Sequence, residues 1–322
     1  MRPGFHHYLL NGYFEDPCLF VRIPMEKRAL LFDSGDVRNL KPADAHKITD
    51  VFITHTHMDH FVGFDMIIRT LLRRDRPLNV YGPAGIAECI AGKLRGYCWN
   101  MIQEYPFLLN VHSYSGKTVT HTVFDAQKKF RKEVRKRTKS EGTMLRNPLF
   151  HVKAAVLDHG IPCLAYRIQE TVHINIDKDG LQRKGLTVGP WLTEFKKILR
   201  EDFSRQKEIM ANGISYSINQ LKDIAMFTDG QIISYATDIS MSSDNIAQLT
   251  EFVKGSDIFY CEAYFMDKDR ERAIERFHLT AKTCGTIAKN AGVKRLVPMH
   301  FSPKYSDCPG AVIDEAMGAF QS

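Results

Sequence analysis

Three histidines and an aspartate occur within six residues of the sequence, at His55, His57, Asp59 and His60. They follow the apolar run Val51 to Ile53, which is typical of a buried strand, and they precede a segment with helical spacing of apolar residues. Imidazole nitrogens and carboxylate oxygens are ligands that zinc accepts. The spacing suits two metal ions held side by side. A polar loop with incidental histidines is the alternative, and it leaves this clustering unexplained.

The remaining ligands of two metal sites must come from elsewhere in the chain. His159, Asp238 and His300 each follow a strand-like run and precede turn residues. A carboxylate can bridge two metals with its two oxygens, whereas a neutral imidazole cannot. Asp238 is therefore the predicted bridge, and His159 and His300 are predicted to complete one site each. Taken singly, each is equally well explained as an ordinary turn residue, and only the combination with the histidine-rich run favours ligation.

Ligands of this kind need strands that end near one another, and the pattern of apolar residues predicts such strands. Strand-like and helical runs alternate, which favours an α/β protein with two mixed sheets packed together and helices outside. The predicted strands cover 18–23, 29–35, 51–55, 78–83, 150–160, 163–170, 231–240, 258–265 and 294–301, and the predicted helices cover 61–74, 84–94 and 281–291.

A basic segment, Ala126 to Asn147, holds nine basic and two acidic residues, so it alone accounts for the net charge of +7 of the 322-residue chain. One interpretation is a phosphate-binding surface, because basic side chains release counterions from a nucleic-acid backbone. The other is a solvated loop or helix face. The predicted two-metal centre favours the first, because such centres are common in enzymes that hydrolyse phosphodiesters. The substrate-binding candidates in this segment are Lys128, Lys129, Arg131 and Lys132.

Composition narrows the class of protein further. With 44% hydrophobic and 25% charged residues, the chain has the composition of a globular protein, which excludes a disordered tail or a fibre. The seven cysteines are scattered without a Cys-x-x-Cys pair, which favours reduced thiols in a cytoplasmic protein over a disulfide framework. No signal-like apolar segment is apparent, so we expect no membrane span.

Longer motifs carry a family resemblance. They include LLFDSG, THTHMDHFVGF, LDHGIPCLAYRI, YATDIS, CEAYF and FHLTAKTCGTIAKNAGVKRLVPMHFSPKY. Together they resemble the metallo-β-lactamase superfamily and, within it, the ribonuclease Z family of endonucleases that remove the 3′ trailer from tRNA precursors. The resemblance implies one four-layer αββα sandwich over residues 1–322, with an inserted, exosite-like substrate arm at about 171–225 and a helix near 192–210.

The resemblance also implies roles for individual residues. Two zinc ions, or manganese in their place, would activate hydroxide for attack on the phosphodiester. Asp59 would accept a proton from the water, and Glu262 with His278 would assist proton transfer to the leaving oxygen. Asp33 would be a buried acid that orients the ligands, with a turn-forming role as the alternative. The implied ligands are His55, His57 and His159 for one metal and Asp59, His60 and His300 for the other, with Asp238 shared.

Within the arm, Gly189 and Pro190 match a Gly-Pro signature that contacts the tRNA elbow, and the family implies a homodimer. Three function classes follow from the residues and the resemblance. The first is a tRNA 3′-processing endoribonuclease. The second is another metallohydrolase of this fold, acting on a small phosphodiester, a cyclic nucleotide or another ester. The third, a degenerate binding module, is disfavoured by the complete set of seven ligand candidates.

Overall fold

The computed structural model describes residues 4–201 and 208–322, which form two compact units. The larger unit comprises Phe5–Met144, Val152–Ile168 and Ile232–Ser322. The smaller comprises Gly4, Leu145–His151 and Gln169–Gln231 in the described part of the chain.

The first sheet of the larger unit has eight strands that lie side by side in sequence order. Its centre, from the third to the sixth strand, is parallel, the next strand is antiparallel, and the last again runs in the direction of the fourth. Both faces of the parallel part are covered, so these strands are rich in apolar residues. The strands are β1 (His6–Leu9), β2 (Leu19–Ile23), β3 (Arg28–Phe32), β4 (Ile48–Phe52), β5 (Leu78–Pro83), β6 (Leu108–Tyr114), β7 (Thr118–Asp125) and β8 (Arg131–Lys139).

The second sheet has six strands: β9 (Thr143–Arg146), β10 (Phe150–Asp158), β11 (Pro162–Glu170), β16 (Ile232–Ala236), β17 (Ile258–Glu262) and β18 (Leu296–Met299). They lie side by side in the order β18, β17, β16, β11, β10, β9. Aromatic rings fill the space between the two sheets: Tyr166 lies 5.8 Å from the ring of Phe32 and 5.4 Å from that of Phe52, and Tyr235 lies 6.0 Å from Phe32. The Tyr166 hydroxyl also donates a hydrogen bond to the Ile53 carbonyl (2.7 Å).

Helices cover the outer faces of both sheets, which gives the predicted αββα layering. The helix Phe64–Leu71 buries Phe64, Ile67, Ile68 and Leu71 in the same apolar cluster as the first sheet. Within residues 4–201 and 208–322, no helix has the length and apolar character needed to cross a membrane. The helices beside the first sheet are α1 (Pro42–Ala45), α2 (Met58–Phe61), α3 (Phe64–Leu71) and α4 (Ile86–Arg95), and those beside the second are α8 (Ser243–Phe252), α9 (Arg270–Glu275), α10 (Ala281–Asn290) and α11 (Pro309–Gln321).

The smaller unit is more regular than the polar character of its sequence predicts. It contains two antiparallel strand pairs and three helices around its own apolar cluster, which includes Leu181, Phe195, Ile209 and Leu221. Its elements are β12 (His173–Ile176), α5 (Lys178–Arg183), α6 (Trp191–Glu201), β13 (Glu208–Ala211), β14 (Ile214–Ser217), α7 (Ile218–Leu221) and β15 (Ala225–Thr228).

The helix expected near 192–210 is right only at its start. Helix α6 covers 191–201, residues 202–207 lie outside the described residues, and 208–210 belong to a strand. The basic segment is also neither the loop nor the helix face of the second interpretation, because β8 at the edge of the first sheet and β9 in the second together take up 13 of its 22 residues. An edge strand with charges on both faces lacks the apolar alternation by which strands are recognised.

Candidate metal centre

The predicted ligands lie at strand ends that converge in the larger unit. His55 follows β4 by three residues, while His159 and His300 directly follow β10 and β18. Their donor atoms, with those of the remaining candidates, form two groups in which all atoms lie within 4.8 Å of one another. The groups are His55, His57, His159 and Asp238, and Asp59, His60 and His300.

Asp238 turns one carboxylate oxygen toward each group. Its Oδ2 lies 3.4 Å from Nε2 of His55 and 3.3 Å from Nε2 of His159. Its Oδ1 lies 3.4 Å from Nε2 of His60 and 3.1 Å from Nε2 of His300. Four ligands placed tetrahedrally about 2.0–2.1 Å from a zinc ion are about 3.3–3.4 Å apart. These donor separations are therefore those of ligands around a small cation.

Two imidazole nitrogens support the same conclusion independently. The Nε2 atoms of His55 and His60 are buried and have no hydrogen-bond partner among the described residues. Leaving a buried polar atom unpaired costs about 1–3 kcal/mol, so native proteins rarely do it without a reason. Both atoms belong to the two ligand groups, where a cation would satisfy them. The residues present therefore fit a dinuclear metal centre.

Asp33 holds one of these imidazoles in place. This fully buried carboxylate accepts hydrogen bonds from the Thr54 backbone N–H (2.7 Å) and from the Tyr235 hydroxyl (2.9 Å), and its Oδ2 lies 2.9 Å from Nδ1 of His60. A proton on Nδ1 of His60 then leaves Nε2 free for a metal. On the other side, Nδ1 of His159 donates to the Phe277 carbonyl (2.8 Å).

Backbone strain accompanies three of these positions. Asp33, Asp238 and His300 have φ angles of 58°, 56° and 55°, in the left-handed region that non-glycine residues seldom occupy. Each such residue costs on the order of 1–3 kcal/mol, and strain of this kind concentrates at functional sites. In all three cases the residue lies directly or two positions beyond the end of a strand. These turns are part of what brings the side chains to one place.

The charges of the centre are strongly coupled. Burial, followed by the neighbouring His60, lowers the pKa of His55 to about 2. Burial would raise the pKa of Asp59, but the neighbouring His60, whose Nε2 lies 3.4 Å from its Oδ2, outweighs this and lowers it to about 2. Burial alone would lower the pKa of His60, but Asp238 and Asp33 raise it well above its usual range. Metals bind neutral imidazoles, so His55 is already in its ligating state, whereas a cation binding to His60 would release a proton from that imidazole.

Glu262 and His278 form a pair beside the bridging aspartate. Nδ1 of His278 lies 2.8 Å from Oε2 of Glu262, whose Oε1 accepts a hydrogen bond from the Ile239 backbone N–H (2.6 Å). Burial would lower the pKa of His278, but the adjacent Glu262 carboxylate outweighs this and raises it. The pair shares a group with Asp238 in which donor atoms lie within 4.8 Å. His278 can therefore hold a proton next to the metal centre.

Sequence reasoning missed three residues that support the site. The Tyr264 ring stacks on His278 at 3.9 Å with an interplanar angle of 8°. Thr54 and Tyr235 both donate to Asp33, and the Thr54 hydroxyl also lies 3.0 Å from Nδ1 of His55. Tyr264 lies two residues after Glu262 and Thr54 directly precedes His55, so proximity in sequence is the one signal that could have indicated them.

The substrate-binding candidates belong to two different parts of the chain. Gly189 and Pro190 precede α6 in the smaller unit, where Pro190 is exposed. The basic candidates lie before β8 or at its start: Lys128 and Arg131 both pair with Glu133, and Lys132 pairs with Glu88. None of the four basic candidates is among the residues that gather at the metal centre in the described chain.

Solved structures of similar fold support the architecture. The metallo-β-lactamase fold protein YhfI from Bacillus subtilis matches with a TM-score of 0.58 at 14% identity, covering 98% of this chain and 93% of that one. The short form of human tRNase Z matches with a TM-score of 0.54 at 20% identity, covering 93% of both chains. These matches confirm the predicted fold. Fold and site together define a protein of the metallo-β-lactamase fold with a candidate dinuclear metal centre.

Curated relatives narrow this class. The chain is 31% identical to ribonuclease Z of Thermobifida fusca over 299 residues, which cover 92% of this chain and 79% of that protein. It is 29% identical to ribonuclease Z of Deinococcus radiodurans over 286 residues, or 88% and 84% of the two chains. No family model matches the sequence. The chain belongs to the ribonuclease Z family.

Proposed function

We propose that this protein is an endoribonuclease that removes the 3′ trailer from tRNA precursors. The observation that carries the proposal is the donor arrangement around Asp238, with the His278–Glu262 pair beside it. Membership of a family whose curated members are named ribonuclease Z supports RNA as the substrate. The reaction breaks the bond between phosphorus and the 3′ oxygen and adds water across it, leaving a 3′ hydroxyl and a 5′ phosphate.

The proposed cofactors are two zinc ions, with manganese as the alternative. His55, His57 and His159 would hold one ion, Asp59, His60 and His300 the other, and Asp238 would bridge them. Bound there, the ions would neutralise charge on the phosphate and lower the pKa of a water. Direct metal analysis of the purified protein, followed by reconstitution with each ion, decides which metal supports activity.

The protein's own residues manage the protons of this reaction. Asp59 has a side chain 42% exposed, while those of His60 and Asp238 beside it are 0% and 4% exposed. Its carboxylate is thus the one in the cluster best placed to take a proton from an entering water. Glu262 raises the pKa of His278 and so favours the imidazolium, in which Nδ1–H donates to Glu262 and Nε2–H can donate its proton to the departing 3′ oxygen, leaving a neutral imidazole. The stacked Tyr264 ring fixes the plane in which that nitrogen lies.

The smaller unit is the proposed substrate arm, in which Gly189 and Pro190 contribute to tRNA binding. The structure offers a clean way to test it, because the Asp177 backbone N–H donates to the Ile224 carbonyl (2.8 Å). Residues 178–223 can therefore be replaced by a short glycine-serine linker while the β12–β15 pair is kept. We expect this variant to lose tRNA cleavage and to keep hydrolysis of bis-p-nitrophenyl phosphate. Loss of both, or of neither, would contradict the role of the arm.

A homodimer in the cytoplasm completes the proposal. Met58, Val62 and Met66 follow one another at intervals of four along α2 and α3, and all three are exposed. Such an apolar stripe suits a self-complementary interface. All seven cysteines are free, as expected for a reducing compartment. Sedimentation of the protein and of a Val62→Glu, Met66→Glu variant tests the dimer, and an unchanged oligomeric state would argue against this interface.

The decisive experiment for the activity is a cleavage assay. Purified protein with zinc or manganese is incubated with a tRNA precursor carrying a 3′ trailer, and the products are sized. The proposal predicts release of the intact trailer at one position. If bis-p-nitrophenyl phosphate is hydrolysed while the precursor stays intact, the protein acts on a small diester or a related ester instead.

A further inference from the structure

The basic edge strand β8 has two ends with different environments. At its start, Arg131, Arg135 and the preceding Lys128 all pair with Glu133, and Lys132 pairs with Glu88. In its second half, Lys136, Arg137 and Lys139 are exposed, and no carboxylate in the described chain forms a salt bridge with them. The one side-chain hydrogen bond in this half joins Arg137 to the Thr118 hydroxyl (3.2 Å). Positive charge is therefore most available toward the carboxyl end of β8.

Sheet register relates that end to the metal centre. Phe52, Tyr81, His112, His121 and Lys136 are successive cross-strand partners from β4 to β8. Strand β8 runs in the same direction as β4. Beyond this row, both strands therefore continue toward the same edge of the sheet. Three residues further on, one reaches the ligand His55 and the other reaches Lys139. Within the row itself, four strand spacings separate Phe52 from Lys136, which is about 19 Å.

The amino end of β8 faces the opposite edge. Arg131 and Lys132 are partners of Asp125 and Phe124, several residues below the row that contains Phe52. The basic residues singled out from the sequence are thus both partly neutralised and on the far side of the sheet from the metal ligands. The residues nearer the ligands are those for which the sequence alone carried no distinguishing signal.

A polar recess adjoins the free cations. It has a volume of about 420 Å³, and Thr138, Lys139, Ser140 and Thr143 line part of it. Lys117 is exposed beside it, and its carbonyl accepts a hydrogen bond from the Ser140 N–H (3.0 Å). Hydroxyl and ammonium groups together are donors for phosphate oxygens. Glu141 also lines the recess, and its carboxylate accepts hydrogen bonds. The recess therefore suits a ribose-phosphate backbone, which presents donating hydroxyls as well as phosphate oxygens.

We propose that the carboxyl end of β8, through Lys117, Lys136, Arg137 and Lys139, is a second RNA-binding site that holds the substrate backbone on the same sheet edge as the metal centre, four strands away from β4. The proposal rests on the proposed function, because it takes RNA as the substrate. A ribose-phosphate backbone could be supplied by the trailer or by the body of the tRNA. The basic strand end would direct the chain across the metal centre and add affinity that depends on salt.

Matched variants of equal charge test the site. The test variant carries Lys136→Gln, Arg137→Gln and Lys139→Gln, and the control variant carries Lys128→Gln, Arg131→Gln and Lys132→Gln at the other end of β8 and just before it. Binding of the metal-loaded protein to fluorescent precursor tRNA with a non-hydrolysable linkage at the cleavage position is measured by anisotropy over a range of salt concentrations. For three lost phosphate contacts, the slope of log affinity against log salt should fall by about 2, with affinity lower by about tenfold or more.

The comparison between the variants decides the outcome. A clearly larger loss in the test variant supports the site, whereas equal losses, no loss or a larger loss in the control would overturn it. Unfolding curves of both variants are recorded, and Lys139→Glu against Lys128→Glu repeats the comparison with single substitutions should a triple variant fold poorly. Precursors with long and short trailers, and mature tRNA, show which part of the RNA is held. If wild-type protein binds through β8 but cleaves no precursor, the proposed function fails while this site stands.

Discussion

Replacing His278 with alanine tests the proton path most directly. The leaving 3′ oxygen of RNA is strongly basic and needs a proton, whereas p-nitrophenolate is a stable anion that needs none. A positioned general acid contributes about 100- to 10,000-fold. We therefore expect His278→Ala to lose about 100- to 10,000-fold in kcat on precursor tRNA but less than about tenfold on bis-p-nitrophenyl phosphate.

A second variant, Glu262→Gln, should reduce proton donation by His278 only in part. Glu262→Gln keeps an oxygen that can accept from the Ile239 N–H but removes the charge facing Nδ1 of His278. A hydrogen bond to a charged group contributes about 1.5–3 kcal/mol, which corresponds to about 10- to 150-fold in rate if it is lost in the transition state. The loss on RNA should therefore lie between those of wild type and His278→Ala.

Two measurements on these variants could contradict the role of His278 as a general acid: their metal content, and their activity on RNA compared with the activated diester. His278 is not among the seven proposed ligands, so elemental analysis should find the wild-type metal content in both variants. Depleted metal in His278→Ala would mean that the residue ligates or supports the centre instead. Equal losses on RNA and on the activated diester would mean that it does not protonate the leaving group.

Three further changes probe what holds the site. Asp33→Asn should lower metal affinity by about 10- to 100-fold, because it weakens the orientation of His60, as judged by chelator competition; an effect on unfolding alone would refute that role. Gly63→Ala places a Cβ 2.0 Å from the Gly35 carbonyl oxygen, so it should lower the free energy of unfolding by about 1–3 kcal/mol and reduce metal content. The control Gly92→Ala adds a Cβ in open space and should have neither effect. Burial, followed by the stacked His121, lowers the pKa of His112 from 6.5 to about 4, so its contribution is present above pH 6.5 and is lost as pH falls toward 4. Between pH 7 and pH 4.5, wild type should lose about 2–3 kcal/mol more stability than His112→Phe, and parallel denaturation curves would contradict this.

The sequence predicted the elements whose apolar pattern is clear. The spans expected for β5 and α10 agree with the structure to within one residue, because both are continuous and end at turn or capping residues. Strands β6 and β7 were not expected, since polar residues such as His112 and His121 interrupt their alternation. Those histidines stack on each other with parallel rings 4.8 Å apart, and only the register of β6 and β7 makes that pairing visible.

The candidate site likewise has features that the sequence could predict and features that it could not. Ligand types and strand-end positions indicated which residues would converge, because metal chemistry restricts the side chains that can serve. The left-handed backbone of Asp33, Asp238 and His300 could not be predicted, since aspartate and histidine in the sequence do not reveal a φ above zero. It arises because each strand end is held by neighbours distant in sequence: the Asp33 N–H donates to the Phe52 carbonyl (2.8 Å) and Glu262 accepts from the residue after Asp238.

This strain has a consequence for how metal and fold depend on each other. The cost of three left-handed residues and two unpaired buried imidazole nitrogens falls on the metal-free chain. Bound cations would satisfy the nitrogens and attract the same carboxylate that now lies between opposing histidines. Free energy of metal binding at this centre would therefore also stabilise the fold. The free energy of unfolding should rise with the logarithm of metal concentration once that concentration exceeds the dissociation constant. The strand ends and the cations would then stabilise each other, which explains why strained turns can persist where the ligands meet.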